Sequence, residues 1–316
     1  MEMTPLRVTR AEPIARDVHL FELRDPGGAA LPAFTAGAHV TVRAPNGALR
    51  KYSLCNDPAE SERYVIAVKR DAAGHGGSVS LVDGTRAGDL IEVSAPRNAF
   101  ELAARAPAHI FVAGGIGITP IMSMVRSLAA NAMGKFRLYY LTRSPEATPF
   151  RAELASSELP GTVVIHHDHG DPAKSFDLWP VFEKPGNAHI YCCGPRPLLE
   201  AVRDMTGHWP AAAVHFESFL DAAAQERPDD RPFTVVLARS GDRIEVPPGI
   251  SILEAMRARG HEAPSSCESG TCGTCRTALV AGAADHRDFV LAEDERARQI
   301  MICVSRALTP EIAIDR

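Results

Sequence analysis

Aromatic residues are scarce in this sequence: Phe, Tyr and Trp make up 6% of its 316 residues, and only two are tryptophan. That leaves little material for the stacking platform on which single-stranded nucleic acid is held. Basic charge is not in surplus either. The 34 lysines and arginines face 39 aspartates and glutamates, and the net charge of −5 has the wrong sign for a surface that tracks a phosphate backbone. No apolar run approaches the roughly 18 residues a membrane helix needs. Residues Met1-Glu2-Met3-Thr4-Pro5 lack the basic segment and apolar stretch of a secretory signal, so a cytoplasmic setting is expected. Nucleic-acid binding and membrane spanning are thus excluded as the main business. What is present, 45% hydrophobic and 23% charged residues, is ordinary for a globular protein, and the length suggests two or three domains.

Texture divides the chain further. Early segments such as Gly37-Ala38-His39-Val40-Thr41-Val42 and Tyr64-Val65-Ile66-Ala67-Val68 are short apolar runs between turn residues, as in an antiparallel barrel or sandwich. From about 107, strand-like runs (His109 to Ala113, Arg137 to Leu141, Val163 to Ile165, His189 to Cys192) alternate with helical stretches, which implies a parallel sheet covered by helices. Ala222 to Pro232, small and polar with two prolines, reads as a linker. Beyond it, Phe233–Ala238 and Arg243–Val246 predict a hairpin across Ser240-Gly241-Asp242, and Ser251–Arg259 predicts a helix. The expected division is 1–105, 106–225, a linker at 226–232, and 233–316.

Of seven cysteines, an odd number, four lie in the last 50 residues. A disulfide framework suits short secreted chains, so a late cluster in a long chain points to a metal site. The pattern is Cys267-Glu268-Ser269-Gly270-Thr271-Cys272-Gly273-Thr274-Cys275, with Cys303 following after 27 intervening residues. This C-x4-C-x2-C…C spacing is that of a plant-type [2Fe–2S] cluster. Four thiolates and bridging sulfides carry net negative charge, which backbone N–H groups stabilise if the loop wraps tightly. Gly270 and Gly273 permit the required φ values and leave no side chain in the way. Zinc also takes four thiolates, but structural zinc sites usually offer two close C-x2-C pairs.

The cysteine loop resembles the C-terminal domain of the phthalate dioxygenase reductase family. Arg50-Lys51-Tyr52-Ser53-Leu54 likewise matches the R-x-Y-S-L flavin signature of the ferredoxin-reductase superfamily. An arginine pairs with a phosphate, an aromatic ring packs on the isoalloxazine and a hydroxyl reaches a ring nitrogen. The resemblance gives those roles to Arg50, Tyr52 and Ser53. Its companion is the turn through Gly76, Gly77 and Ser78, which opens a helix and presents N–H groups to a phosphate. In the resembled family such a turn ends the cofactor at FMN, and Cys55-Asn56-Asp57 also looks like that family.

Gly114-Gly115-Ile116-Gly117-Ile118-Thr119-Pro120 follows a strand and opens a helix, where glycines let backbone approach a pyrophosphate. It is not G-x-G-x-x-G. It resembles the superfamily's G-G-x-G-I-T-P loop, with Gly114, Gly115, Gly117 and Thr119 as expected cofactor contacts. Cys193-Gly194-Pro195 ends another predicted strand, where ligands of open α/β sheets gather. The resemblance places Cys193 beside the nicotinamide, while Cys192 points away and is simply buried. Thr142-Arg143-Ser144 falls where a nucleotide ribose would lie; its chemistry fits NADH and NADPH equally, and the resemblance implies NADH. His166-His167-Asp168-His169 reads as a loop rather than a metal site, with Asp168 near the nucleotide. Phe219 takes the superfamily's place for an aromatic residue covering the flavin. Ser53, Cys193 and Phe219 are therefore the residues expected at the reacting rings.

The resemblance covers nearly the whole chain. It implies an antiparallel β-barrel flavin domain, an α/β parallel-sheet nucleotide domain and a C-terminal β-grasp ferredoxin domain, with Cys267, Cys272, Cys275 and Cys303 as cluster ligands. The implied function is electron transfer from NADH through FMN and the [2Fe–2S] cluster to a Rieske-type oxygenase acting on an aromatic or similar small substrate. The alternatives are a reductase for a cytochrome P450 or di-iron hydroxylase, and a non-catalytic redox sensor or zinc-stabilised module.

Overall fold

The computed structural model describes residues 2–103, 105–131, 135–156, 159–219 and 227–316. Two compact units divide the chain, Met1–Phe216 and Glu217–Arg316. In the first, the chain runs through β1 (Met3–Ala15), β2 (Val18–Arg24), β3 (His39–Arg43), β4 (Leu49–Ser53), β5 (Tyr64–Lys69), which is apolar and buried up to Val68, and β6 (Leu90–Ser94), with helix α1 (Gly77–Gly84) between the last two. These strands form one six-stranded sheet in the order β4-β3-β6-β1-β2-β5. A bridge between Leu54 and Ile66 joins its two edges, closing the sheet into an antiparallel barrel. Val8, Leu23, Val40, Val42, Leu54, Ile66 and Leu81 fill the interior.

The same unit continues through β7 (Ala108–Gly114), α2 (Ile118–Ala130), β8 (Lys135–Thr142), α3 (Arg151–Leu154), β9 (Thr162–His167), α4 (Trp179–Phe182), β10 (Ala188–Cys193), α5 (Arg196–Met205) and β11 (Val214–Glu217). Strand order is β11-β10-β7-β8-β9, and the β10–β7, β7–β8 and β8–β9 pairs are parallel. The β7 sequence is almost continuously apolar because helices and barrel cover it. The chain builds outward from β7 to β9 and then returns to β10 on the other side of β7. The sheet's switch point, where ligands bind in such folds, therefore lies between β7 and β10. One apolar cluster joins Val18, Leu20, Cys55 and Val65 of the barrel to Phe111, Ile118, Met122 and Tyr140 of this layer. The strand β9 runs through His166 and His167, which pair with Leu141 and Thr142, where a loop is expected from sequence.

In the second unit, β12 (Phe233–Leu237) and β13 (Arg243–Val246) form the expected antiparallel hairpin, followed by α6 (Ile252–Ala258). Ser251 starts α6 with a reciprocal capping box: its hydroxyl accepts from the Glu254 N–H at 3.1 Å and Glu254 accepts from the Ser251 N–H at 2.9 Å. Then come β14 (Arg276–Ala281), β15 (Ala284–Asp285), β16 (Gln299–Met301), β17 (Arg306–Ala307) and β18 (Glu311–Ile314). The final strand lies parallel to β12 at the centre of the order β13-β12-β18-β14-β16, a β-grasp arrangement. The expected linker falls partly on residues 220–226, which lie outside the described residues. Its described part, 227–232, is tied into this unit. The nearly buried Asp230 carboxylate accepts from Arg287 at 2.9 Å and lies 3.7 Å from Arg306, whose guanidinium also donates to the Arg231 carbonyl at 3.0 Å.

Candidate active site

The strand β4 alternates its side chains, so Arg50 and Tyr52 share one face while Lys51 and Ser53 take the other. Arg50 lies directly across Gly77: a Cβ there would come within 3.0 Å of the Arg50 side chain. Gly76 adopts φ +76 just before α1, a left-handed turn suited to glycine. Arg50 therefore crosses the first turn of α1, where helix N–H groups and dipole favour an anion, and it makes no ion pair among the described residues. An unmatched guanidinium there fits a phosphate. The Ser78 hydroxyl accepts from the Asp71 N–H at 3.1 Å, which holds the turn closed. Ser53 is 4% exposed, and neither its hydroxyl nor that of Tyr52 has a hydrogen-bond partner among the described residues. Buried hydroxyls left this way mark a place where a polar group is missing. Burial, opposed by the nearby Arg50 charge, pushes the Tyr52 phenol up to about 12, and its ring packs against the barrel core.

At the switch point the two glycine loops touch backbone to backbone. A Cβ on Gly117 would fall 2.2 Å from the Cys193 carbonyl oxygen, and one on Gly114 would fall 2.6 Å from the Pro195 ring. Added atoms at Gly194 would meet Gly114 at 3.0 Å. Gly115 differs: its φ is +54 and the space beside it is open, as a backbone cradle for a ligand requires. The Tyr140 hydroxyl donates to the Gly115 carbonyl at 3.1 Å and fixes the turn, a support the sequence hides because it spans 25 positions. Two helices, α2 and α5, begin here with their positive ends together. The Thr119 hydroxyl donates to Ile116 O at 3.0 Å. Cys193 and Cys192 are both fully buried, Cys193 within the apolar cluster that joins barrel and sheet.

Thr142 ends β8 with its hydroxyl held by Thr148 at 2.7 Å and His167 Nδ1 at 2.8 Å, while the next residue, Arg143, is exposed. The Asp168 N–H donates to the Thr142 carbonyl at 3.2 Å, which keeps the two ends of β8 and β9 together. The flavin-motif strand and the nucleotide turn are neighbours: Leu54 bridges to Ile66 of β5, and β5 packs on the turn Gly115–Gly117. Phe219 is 45% exposed and falls within the second unit.

The cysteine loop places its thiols in two pairs. The Cys272 thiol donates to Cys267 and, with the Ser269 and Thr271 amides assisting against burial, pulls Cys267 down to about 4. The Cys303 thiol likewise lowers Cys275 and is itself raised. The Cys267 N–H reaches Cys272 Sγ at 3.5 Å and the Ser269 N–H reaches Cys267 Sγ at 3.4 Å, so backbone donors already face the sulfurs. Gly270 and Gly273 sit at φ +79 and +80, and Gly270 is hemmed in by Val304 and Asp288. Among the described residues no three His, Cys, Asp or Glu side chains meet at one point, as a single ion would require. Thiols in twos suit two irons with two thiolates each.

Three domain families match in this order: the oxidoreductase FAD-binding domain at residues 5–102, the oxidoreductase NAD-binding domain at 111–204, and the 2Fe-2S iron-sulfur cluster binding domain at 235–308. The phthalate dioxygenase reductase of Burkholderia cepacia is 58% identical over 98% of this chain and 96% of its own length. The chain belongs to the phthalate dioxygenase reductase family. A phthalate 4,5-dioxygenase reductase subunit from Pseudomonas putida is also 58% identical, over 99% of this chain and 96% of its own. A solved phthalate dioxygenase reductase, described as a modular structure for electron transfer from pyridine nucleotides to [2Fe-2S], superposes with a TM-score of 0.74 at 57% identity, covering 99% of this chain and 98% of that one. Members of this reductase family work as components of oxygenase systems, so this chain is an oxidoreductase with flavin, NAD and [2Fe–2S] domains. No helix among the described residues is long and apolar enough to cross a membrane.

Proposed function

We propose that this reductase takes electrons from NADH, passes them through FMN and the [2Fe–2S] cluster, and delivers them singly to a Rieske-type oxygenase component in the cytoplasm. When bound, the nicotinamide would supply a hydride and the flavin would convert that electron pair into single electrons for the cluster. The chain's own residues bind and orient these groups. Arg50 and the Gly76-Gly77-Ser78 turn hold the flavin phosphate. Tyr52 and Ser53 meet the ring, with the Ser53 hydroxyl donating to it. Gly114, Gly115, Gly117 and Thr119 cradle the pyrophosphate with Gly194 and Pro195, Cys193 lies by the nicotinamide, and Thr142 and Arg143 border the ribose. Cys267, Cys272, Cys275 and Cys303 hold the cluster.

The observation that carries this reading is the Arg50 guanidinium, without a counter-ion among the described residues, across Gly77 at the start of α1. A single anion site at that helix end suits a mononucleotide. Flavin released by heat should chromatograph as FMN, and Arg50→Ala should lose flavin on gel filtration that the wild type retains. Stoichiometric FAD, or full flavin retention by the variant, would remove the assignment.

A further inference from the structure

The helix α2 begins at the nucleotide turn, and its flank is bound to the barrel segment that follows Ser53. Ser123 and Arg126 lie three apart on α2 and so face the same way. The Ser123 hydroxyl, fully buried, donates to the Asn56 carbonyl at 2.9 Å. The Arg126 guanidinium donates to the preceding carbonyl, that of Cys55, at 2.5 Å. Two successive carbonyls of the barrel are thus gripped by one helix face. The barrel side of this segment is fixed as well. Leu54 N–H donates to Ala38 O at 2.8 Å, Cys55 N–H to Val65 O at 2.8 Å, and the Asn56 amide accepts from Val65 N–H and donates to Arg63 O, both at 3.0 Å.

Arg126 is pre-set for this contact by its own layer. Glu153 on α3 accepts from its Nε at 2.8 Å and from one terminal nitrogen at 2.6 Å, and the guanidinium stacks 5.3 Å from the Phe150 ring centre. The remaining terminal nitrogen has one direction left, towards the barrel. A surface ion pair would have no need of that arrangement. The barrel end of the clasp lies two residues from Ser53, and its helix end begins beside Gly117, so the two cofactor sites are joined through a short path of stiff elements.

We propose that Ser123 and Arg126 are positioning residues that set the distance and angle for hydride transfer, by fixing the nucleotide turn against the flavin strand. In that step the C4–H bond of NADH breaks, its electron pair and hydrogen form the N–H bond at flavin N5, and NAD⁺ leaves. The proposal rests on the site assignment given above for Ser53 and the glycine turn. Misplacement of reacting atoms by about 1 Å costs up to about a hundredfold in rate. Ser123→Ala and Arg126→Met, studied as full-length holoprotein by stopped flow, should reduce flavin roughly tenfold more slowly at saturating NADH, by the same sensitivity to geometry. Flavin content and NADH dissociation constant should stay at wild-type values, the melting temperature should fall by a few degrees for the lost hydrogen bonds, and the isotope effect with 4-deuterated NADH should rise. Arg126→Lys, which can still reach the Cys55 carbonyl, should recover part of the rate. Unchanged reduction rates, or a loss that appears only together with weaker flavin or NADH binding, would overturn the clasp. Failure of the site assignment is separable, because it would show as full flavin retention by Arg50→Ala.

Discussion

Gly117 has its conformation dictated by a neighbour rather than by its own backbone. Its φ is ordinary, yet a methyl group there would overlap the Cys193 carbonyl at 2.2 Å. Gly117→Ala must therefore push β7 and β10 apart at the switch point, at a cost of about 1–3 kcal/mol for overpacking. We expect a lower melting temperature and a weakened NADH dissociation constant, with normal flavin content. Gly115→Ala meets open space but must hold φ +54, so it should cost about 1–2 kcal/mol through backbone strain rather than overlap, and should affect NADH binding as well. Equal melting temperatures for Gly117→Ala and wild type would show that the loops are not in contact. Glycines of this kind are legible in sequence, because only the absence of a side chain permits such an approach. Hydroxyls are less so. The bond of Thr119 to its own turn, and those of Thr142 to Thr148 and His167, use partners that folding alone supplies. The clasp residues Ser123 and Arg126 had no signal, since each reads as an ordinary helix position.

Among the elements, the start of β10 and β11 carries a histidine contact with a pH consequence. His189 Nδ1 and His215 Nε2 lie 2.9 Å apart, and His215 also stacks on Tyr191 at 4.5 Å. Burial, then His189 and His109, pull the His215 imidazole down to about 4. The fold therefore wants this ring neutral. Between about pH 6.5 and pH 4 the unfolded chain binds a proton that the folded chain refuses, so stability falls as pH drops through that window and levels off below it. Partial exposure of the ring limits the effect to about 1–2 kcal/mol after solvent screening. The melting temperature should fall more steeply from pH 6.5 to pH 4 in the wild type than in His215→Gln, and parallel profiles would contradict this. Element types were readable where local pattern and capping agree, as in α6, whose Ser251 and Glu254 announce its start. The expected loop at His166-His167 became strand because pairing with β8 outweighs a polar local sequence.

The whole molecule is two units, and the second has its own core of Phe233, Val235, Ile252, Leu253, Ile300 and Ile302 around the buried thiols of Cys275 and Cys303. Domain order and the cysteine spacing were visible in the sequence because each cofactor demands a short motif with fixed chemistry. The binding of 227–232 into the second unit was hidden, since it depends on Arg287 and Arg306 reaching back across more than fifty positions to Asp230. A separate core means that the cluster site can be damaged without unfolding the flavin and nucleotide layers. The proposed electron path divides the labour, with hydride taken by the first unit and single electrons delivered by the second. Stopped-flow absorbance of Cys272→Ala, run beside turnover of the oxygenase component, tests it directly. Flavin reduction by NADH should proceed at the wild-type rate while oxygenase turnover falls to background; turnover that survives loss of the cluster would mean that the flavin hands electrons over directly, and would contradict this division.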